Sequence, residues 1–322
     1  MRKHSELLEL DGYLIPQHQD IPGHFVQSPH NLALGLMEKY PSGYYEDYLP
    51  EENYLERFGD FVERSKIEQK NILLSSEVFS LVRPELINYI LSNAFKMRIV
   101  IGHRRYYEWL KSFHNQLYKM GWTKEGFISW LRNNYEENKS RSSLALYESY
   151  KEVFNNVIVM NFHDEKQPLL LDFYCNAIGG LKHMCGHLLI QKNGLHKNKS
   201  VVLEIKEIIQ LARTKNMLEK NINEKEALIE ITSFMQNELK IDMSDLPSEC
   251  IDDAILEDIL QYTLHQEKTL FPAWFEEIGG ETKLREDFEG FKKTSSCGIH
   301  TEAILEDIRW IELLRGMNER LA

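Results

Sequence analysis

Arg104 and Ser112 stand eight residues apart, the first at the end of an apolar run and the second on the helix expected to follow it. An arginine at a strand end, beside the unpaired N–H groups of a helix N-terminus, is a good anion clamp, and a hydroxyl two helical turns on can add a donor to the same anion. Arg105 would be a secondary contact. Between Lys96 and Lys119 there are six basic residues (Lys96, Arg98, Arg104, Arg105, Lys111 and Lys119) and one acid, Glu108. The bland alternative is a solvated helix face with an arginine capping the sheet edge. Glu77, after Ser75-Ser76, is the base candidate, because a carboxylate at the mouth of a sheet crevice can take a proton from an acceptor hydroxyl when burial raises its pKa. It also reads as a first-turn glutamate favouring the next helix dipole.

Weaker groupings surround these. His18, His24 and His30 fall in an early loop, where His30 and Asn31 can contact a sugar hydroxyl or start a helix. His183-x-Cys185-x-His187, with Cys175 upstream, has zinc-binding residue types at a spacing that structural zinc sites do not use. A Cys175–Cys185 pair across a short loop, or two reduced thiols, accounts for the cysteines without a metal.

The elements that must position these residues follow from periodicity. Asn71-Ile72-Leu73-Leu74, Met97–Gly102 and Asn156–Phe162 read as buried strands, and the carboxyl ends of the first two, which carry Glu77 and Arg104, should be neighbours. Helices are expected near 31–40 and over 52–68, 83–94, 106–120, 124–134, 142–155 and 169–178. Strands alternating with such helices imply βαβ units and a parallel sheet, whose ligands bind outside the strand carboxyl ends. Trp109, Phe113 and Leu117 have the helical spacing of core residues. Beyond residue 200 the stripes Val202–Ile205–Ile208–Ile209–Ala212 and Leu256–Ile259–Leu260–Leu264 mark a helical region almost without strands. The expected division is 1–198, an α/β core, and 199–322, helices packed on it, with the linker near 192–200.

Composition bounds the rest. The chain has 322 residues, 43% of them hydrophobic, which excludes a disordered or collagen-like polymer. Fifty acids against 38 bases give a net charge of -12, which argues against general nucleic-acid binding while allowing a local anion site. Apolar runs such as Ile72–Leu74 are far too short to span a bilayer. Two Asn-x-Ser sequons, at Asn138 and Asn198, would fit a secretory lumen, although such tripeptides also arise by chance.

The run from Ile72 to Glu77, then Ile99-Val100-Ile101-Gly102-His103-Arg104-Arg105 through Ser112 to Gln116, resembles the sulfotransferase family, in its bacterial and algal carbohydrate-type branch. Leu146–Tyr150, Val157–Val159 and Asp172-Phe173 look like that family's next helix, strand and helix start. Thr269–Pro272, Asp287–Glu289 and Ala303–Trp310 look like the tails of algal members. The resemblance covers most of the chain, although only the Arg104–Ser112 spacing is specific. It implies a P-loop-NTPase-like parallel sheet with flanking helices and a helical C-terminal region. The co-substrate would be 3′-phosphoadenosine 5′-phosphosulfate (PAPS), its 3′-phosphate held by Arg104 and Ser112. The reaction implied is sulfuryl transfer to a carbohydrate hydroxyl or amine, with Glu77 as base, a glycan as acceptor and no metal. It implies the Golgi lumen for an anchored eukaryotic member and the cytoplasm otherwise.

One departure stands out. The family's phosphate-binding loop, Pro-Lys-x-Gly-Thr-[Ser/Thr], has no counterpart in the sequence, and Ser5–Pro16 resembles the end of the helix that normally follows it. The expectation is therefore a chain lacking the first strand and the phosphate loop, with weak or no activity. Removing one donor to the leaving oxygen typically costs on the order of 10²–10³ in rate. A non-catalytic binding or interaction protein on the same scaffold is the alternative. A nucleotide kinase is disfavoured, because no Gly-x-x-x-x-Gly-Lys-[Ser/Thr] loop is present.

Overall fold

The computed structural model describes residues 5–23, 28–37, 52–92, 95–119, 123, 125–164, 168–190, 203–219, 222–240 and 245–321. The linker expected near 192–200, His24 and Asn198 lie outside them. The chain runs α1 (Ser5–Leu10), β1 (Tyr13–Leu14), α2 (Ser28–Gly35), α3 (Tyr54–Ile67) and β2 (Asn71–Ile72). A 3-10 turn (Glu77–Leu81) leads to α4 (Pro84–Leu91), β3 (Ile99–His103), α5 (Tyr106–Lys119) and α6 (Phe127–Asn138). Then come α7 (Ser143–Val153), β4 (Val157–Asn161), α8 (Leu169–Leu171) with its π-helical continuation Asp172–Ile178, and α9 (Lys182–Ile190). The C-terminal part comprises α10 (Leu203–Thr214), α11 (Glu224–Phe234) with a π-helical end, β5 (Ser248–Cys250), α12 (Asp253–Leu270), α13 (Pro272–Glu277), α14 (Gly280–Ser295), β6 (Cys297–Ile299), α15 (Thr301–Glu306) and α16 (Ile308–Leu321).

The fold is mixed α/β, predominantly helical, with small parallel sheets. Packing divides the chain into two units, 1–104 with 139–196 and 105–138 with 197–322. The sequence suggests a single cut near 198; the structure instead groups 105–138 with the C-terminal helices. The reason is hydrophobic. Tyr106, Tyr107 and Leu110 of α5 and Trp130 and Leu131 of α6 share one core with Leu256, Ile259 and Leu264 of α12 and Leu284 and Phe288 of α14. Each such side chain contributes roughly 1.5–3 kcal/mol when removed from water, so α5 and α6 belong where their apolar faces are covered.

In the first unit β1 pairs with β2, and β3 with β4, both parallel. These are separate two-stranded sheets, so among the described residues β2 is not the neighbour of β3. The ladder at β2 covers only Asn71 and Ile72, and Leu73–Ser76 form no described strand. The longer β3/β4 pair keeps strict register, Ile99 opposite Val157 through His103 opposite Asn161.

The π-helical stretch ends at two consecutive glycines with positive φ, Gly179 (72°) and Gly180 (73°). There Arg98 donates to the carbonyls of Ala177 and Ile178, satisfying acceptors that the helix end leaves open. The Asp11 carboxylate accepts from the backbone N–H groups of His183 and Met184 at 2.8 Å each, capping α9.

In the second unit Ile208, Ile209 and Ala212 of α10, Ala227 and Ile231 of α11, Leu305 of α15 and Leu314 and Met317 of α16 form a further core. The region carries one short ribbon, in which β5 and β6 pair antiparallel with Cys250 opposite Cys297. Those two cysteines form a disulfide, as do Cys175 and Cys185. Among the described residues no helix is long and apolar enough to cross a membrane.

Candidate functional site

The carboxyl edge of the β3/β4 pair gathers chemistry from three elements of the first unit. β3 ends at His103, which is fully buried, and its Nδ1 lies 2.5 Å from Oγ of Ser143, the first residue of α7. Ser142 caps that helix by accepting from the N–H of Ala145. β4 ends at Asn161, whose Oδ1 accepts from the backbone N–H of His163. The His103 and His163 rings meet edge to face, 6.4 Å between centroids. His103 and Asn161 are register partners in a parallel pair, so their side chains share a face.

Arg104 follows directly. It is exposed, and its guanidinium carbon lies 5.5 Å from the centroid of the Phe162 ring. A guanidinium seated by its face on an aromatic ring addresses other groups through its in-plane N–H edge, the geometry that suits a phosphate or carboxylate. Gly102 makes the seat, because a Cβ there would stand 2.6 Å from Cζ of Phe162.

The second cluster forms where α2 meets the 3-10 turn. Ser76 caps that turn, its Oγ accepting from the N–H of Val78 at 3.1 Å, and the same Oγ lies 3.1 Å from Nδ1 of His30. The structure thus brings His30 to the residue immediately before Glu77. Glu77 is the first residue of the turn, and its side chain lies outside the described residues. Asn31 turns inward. It is fully buried, and its Nδ2 donates to the carbonyl of Ile21 at 3.0 Å, so it braces the 17–23 segment rather than facing a sugar.

Arg105 is also turned inward. Its guanidinium is buried, donating to Asp287 of α14 at 2.8 Å and to the Tyr107 hydroxyl at 3.3 Å, with Glu267 of α12 at 3.9 Å. A cation that has given up its water for two carboxylates braces three helices and is poorly suited to serve as an outer anion contact. Burial pushes the Asp287 carboxyl upward, but hydrogen bonds from Lys283 and Arg105 outweigh it and hold the group below its usual range.

Ser112 lies on α5 in the second unit, Arg104 is the last residue of the first, and each is described in its own unit. The basic excess of 96–119 is largely spoken for: Arg98 caps a helix end, Arg105 pairs with Asp287, and Lys111 donates to Ser295 Oγ at 2.7 Å. Apart from the Arg105–Tyr107 contact, these hydrogen bonds run to residues 79 to 184 positions away in sequence, which local spacing cannot reveal.

The remaining groupings resolve simply. Cys185 is bonded to Cys175, and no cluster of three metal-ligating side chains occurs among the described residues. His18 Nε2 lies 2.9 Å from the Gly23 carbonyl. Trp109 and Phe113 stack at 4.9 Å against the second unit's core, as helical spacing suggests. Asn138 is 3% exposed and donates to the Asn134 carbonyl, so that sequon is shielded once the chain has folded. Sequence reasoning passed over His103, Ser143 and Phe162; a histidine and an aromatic at matching strand ends were the available signal. No family model, no curated protein and no solved structure matches this chain.

Proposed function

We propose that this chain is a sulfotransferase-like protein on a P-loop-like α/β scaffold, with PAPS as its nucleotide and a carbohydrate as acceptor. The ancestral reaction is in-line transfer: the acceptor oxygen or nitrogen bonds to sulfur as the bond from sulfur to the 5′-phosphate oxygen breaks. 3′-Phosphoadenosine 5′-phosphate leaves with the charge. Glu77 takes the acceptor's proton, and His30 stands on the acceptor side. Arg104 grips the 3′-phosphate, the role that the resemblance implies for it.

One observation supports this reading above the others. Arg104 emerges, exposed and seated on Phe162, from the carboxyl edge of a parallel strand pair, the edge at which open α/β sheets bind ligands. The second reading is a non-catalytic binding protein on the same scaffold, which would keep the Arg104 contact without turnover.

The test is isothermal titration with 3′-phosphoadenosine 5′-phosphate against adenosine 5′-monophosphate. The expected result is micromolar binding of the bisphosphate, weakened by roughly tenfold or more in Arg104→Ala, as loss of a charge-assisted contact implies. Equal affinity for the two nucleotides would reject both readings as sulfonucleotide binders. Turnover of PAPS with an oligosaccharide then separates the enzyme from the binding protein.

A further inference from the structure

The second unit holds a covalent clasp whose setting differs from that of the chain's other disulfide. Cys250 ends β5 and Cys297 begins β6, and both residues are exposed. α12 begins three residues after Cys250, and α14 ends two residues before Cys297. At their far ends these helices are joined through α13 and the Gly279-Gly280 turn, so the bond closes a ring of chain around the α12–α14 pair. Between the helices lies a groove of about 320 Å³, floored by Leu256, Leu260 and Phe288, with Asp253 and Lys292 at the clasp end. Their ion pair, at 2.6 Å, spans the same end. Cys175 and Cys185, by contrast, are half-buried and pack against the core that contains Leu8, Tyr174 and Met184.

We propose that Cys250–Cys297 is a thiol–disulfide exchange site for a dithiol reductant, and that its reduction loosens the clasp end of the α12–α14 groove. The polar surroundings set the direction of attack. Ser296 Oγ lies 3.9 Å from Cys297 Sγ and donates its one hydrogen to the Lys292 carbonyl at 2.6 Å, so the β6 side offers the bond no charge. Arg132 donates to the Cys250 carbonyl at 2.5 Å and to Glu249 at 3.0 Å, bringing a cation to the β5 side of the bond. An incoming thiolate bonds to Cys250 Sγ, the disulfide breaks, and its electron pair leaves on Cys297 Sγ. The reductant's second thiolate then attacks its own sulfur in the mixed disulfide and releases Cys250 as thiolate. The chain ends as two thiols and the reductant as a disulfide, so two electrons and two protons are conserved. What then holds that end is noncovalent: the short ribbon, the Ile251 N–H donating to the Ser296 carbonyl, the Arg132 contacts and the Asp253–Lys292 ion pair, each of which contributes little alone.

The experiment treats the native full-length chain with limiting dithiothreitol, alkylates at intervals and maps the labelled cysteines by mass spectrometry. The expected result is labelling of Cys250 and Cys297 roughly tenfold faster than of Cys175 and Cys185, the difference in access being the cause. Hydrogen exchange on the selectively reduced chain should rise over Asp253–Leu260 and Phe288–Ser295 and stay level in α10 and α16. Arg132→Gln, at unchanged Tm, should slow the first reduction roughly threefold, because the cation that draws the incoming thiolate is gone. Equal labelling of the two pairs, earlier labelling of Cys175–Cys185, or no reduction short of denaturation would overturn the exchange site. Selective reduction with unchanged exchange in both helices would overturn the loosening. An unchanged rate in Arg132→Gln would overturn the attack at Cys250.

Discussion

The Phe162 ring lies across Gly102 so closely that the missing Cβ is what admits it, at 2.6 Å from Cζ. Phe162 follows β4 and Gly102 lies within β3, so a small residue in one strand sets the position of an aromatic beyond the other. Arg104 then uses that ring as its seat.

Gly102→Ala tests the seat without touching the arginine. Phe162 is 36% exposed, so its ring can swing outward and relieve the clash. The stability loss should therefore be modest, about 1 kcal/mol, the size of an exposed cation–π contact with its small share of packing. Affinity for 3′-phosphoadenosine 5′-phosphate should fall several-fold, because Arg104 loses its fixed plane. Thermal unfolding and titration on one preparation separate the two effects; unchanged affinity with a lowered Tm would leave Phe162 as packing alone.

Arg105→Ala and Asp287→Ala should behave as folding variants. Removing Asp287 leaves a buried guanidinium with Glu267 and the Tyr107 hydroxyl, and should cost roughly 2–3 kcal/mol. The sign with pH is fixed by the lowered carboxyl. The pair's contribution is fully present above the unfolded carboxylate's pKa, near pH 4, and is lost as pH falls through the lower folded value. Urea midpoints of the parent and Asp287→Ala should therefore differ at pH 7 and converge as the pH is taken below the ordinary carboxylate range. A constant gap across that range would assign the loss to packing.

What could be read in the sequence were the features with local signatures. The apolar runs at 99–101 and 157–160 became β3 and β4, and the stripe Leu256–Ile259–Leu260–Leu264 became a buried helix face. Leu73 and Leu74 misled, because an apolar run of three looks like a strand however far its neighbour extends, and the ladder with β1 stops at Ile72, with one further bond from the Leu73 N–H to the Leu14 carbonyl. The β5–β6 ribbon escaped because three residues carry no period and the two cysteines stand 47 positions apart. The site divided along similar lines. His30 was visible as a residue type, but its meeting with Ser76 depends on tertiary packing, and Asn31, its neighbour, turned inward. Arg104 and Arg105 are identical in sequence terms. Successive residues point different ways, so one sits on Phe162 at the surface while the other is buried against Asp287.

His114 makes the second unit's stability depend on mildly acidic pH. The ring is fully buried among Tyr118, Phe127 and Trp130, at 5.2–5.5 Å between centroids, and its Nε2 lies 2.9 Å from the Glu125 carbonyl. Among the described residues Nδ1 has no hydrogen-bond partner. Burial lowers the imidazole pKa to about 4, the Glu125 carbonyl opposing it slightly. In the unfolded chain the same group titrates near 6.5. Between those values the unfolded state binds the extra proton and the folded state refuses it, so stability is whole above pH 6.5 and declines as pH falls toward 4. At about 1.4 kcal/mol per pH unit the loss sums to roughly 3 kcal/mol. His114→Gln keeps a donor for the Glu125 carbonyl and removes the titration. It should start below the parent at pH 7.5, because its amide leaves an acceptor unpaired in the aromatic cage, and lose less as the pH drops to 4.5. Chemical denaturation at five pH values between these limits reads the slope; identical slopes for the parent and His114→Gln would place the acid sensitivity on other groups.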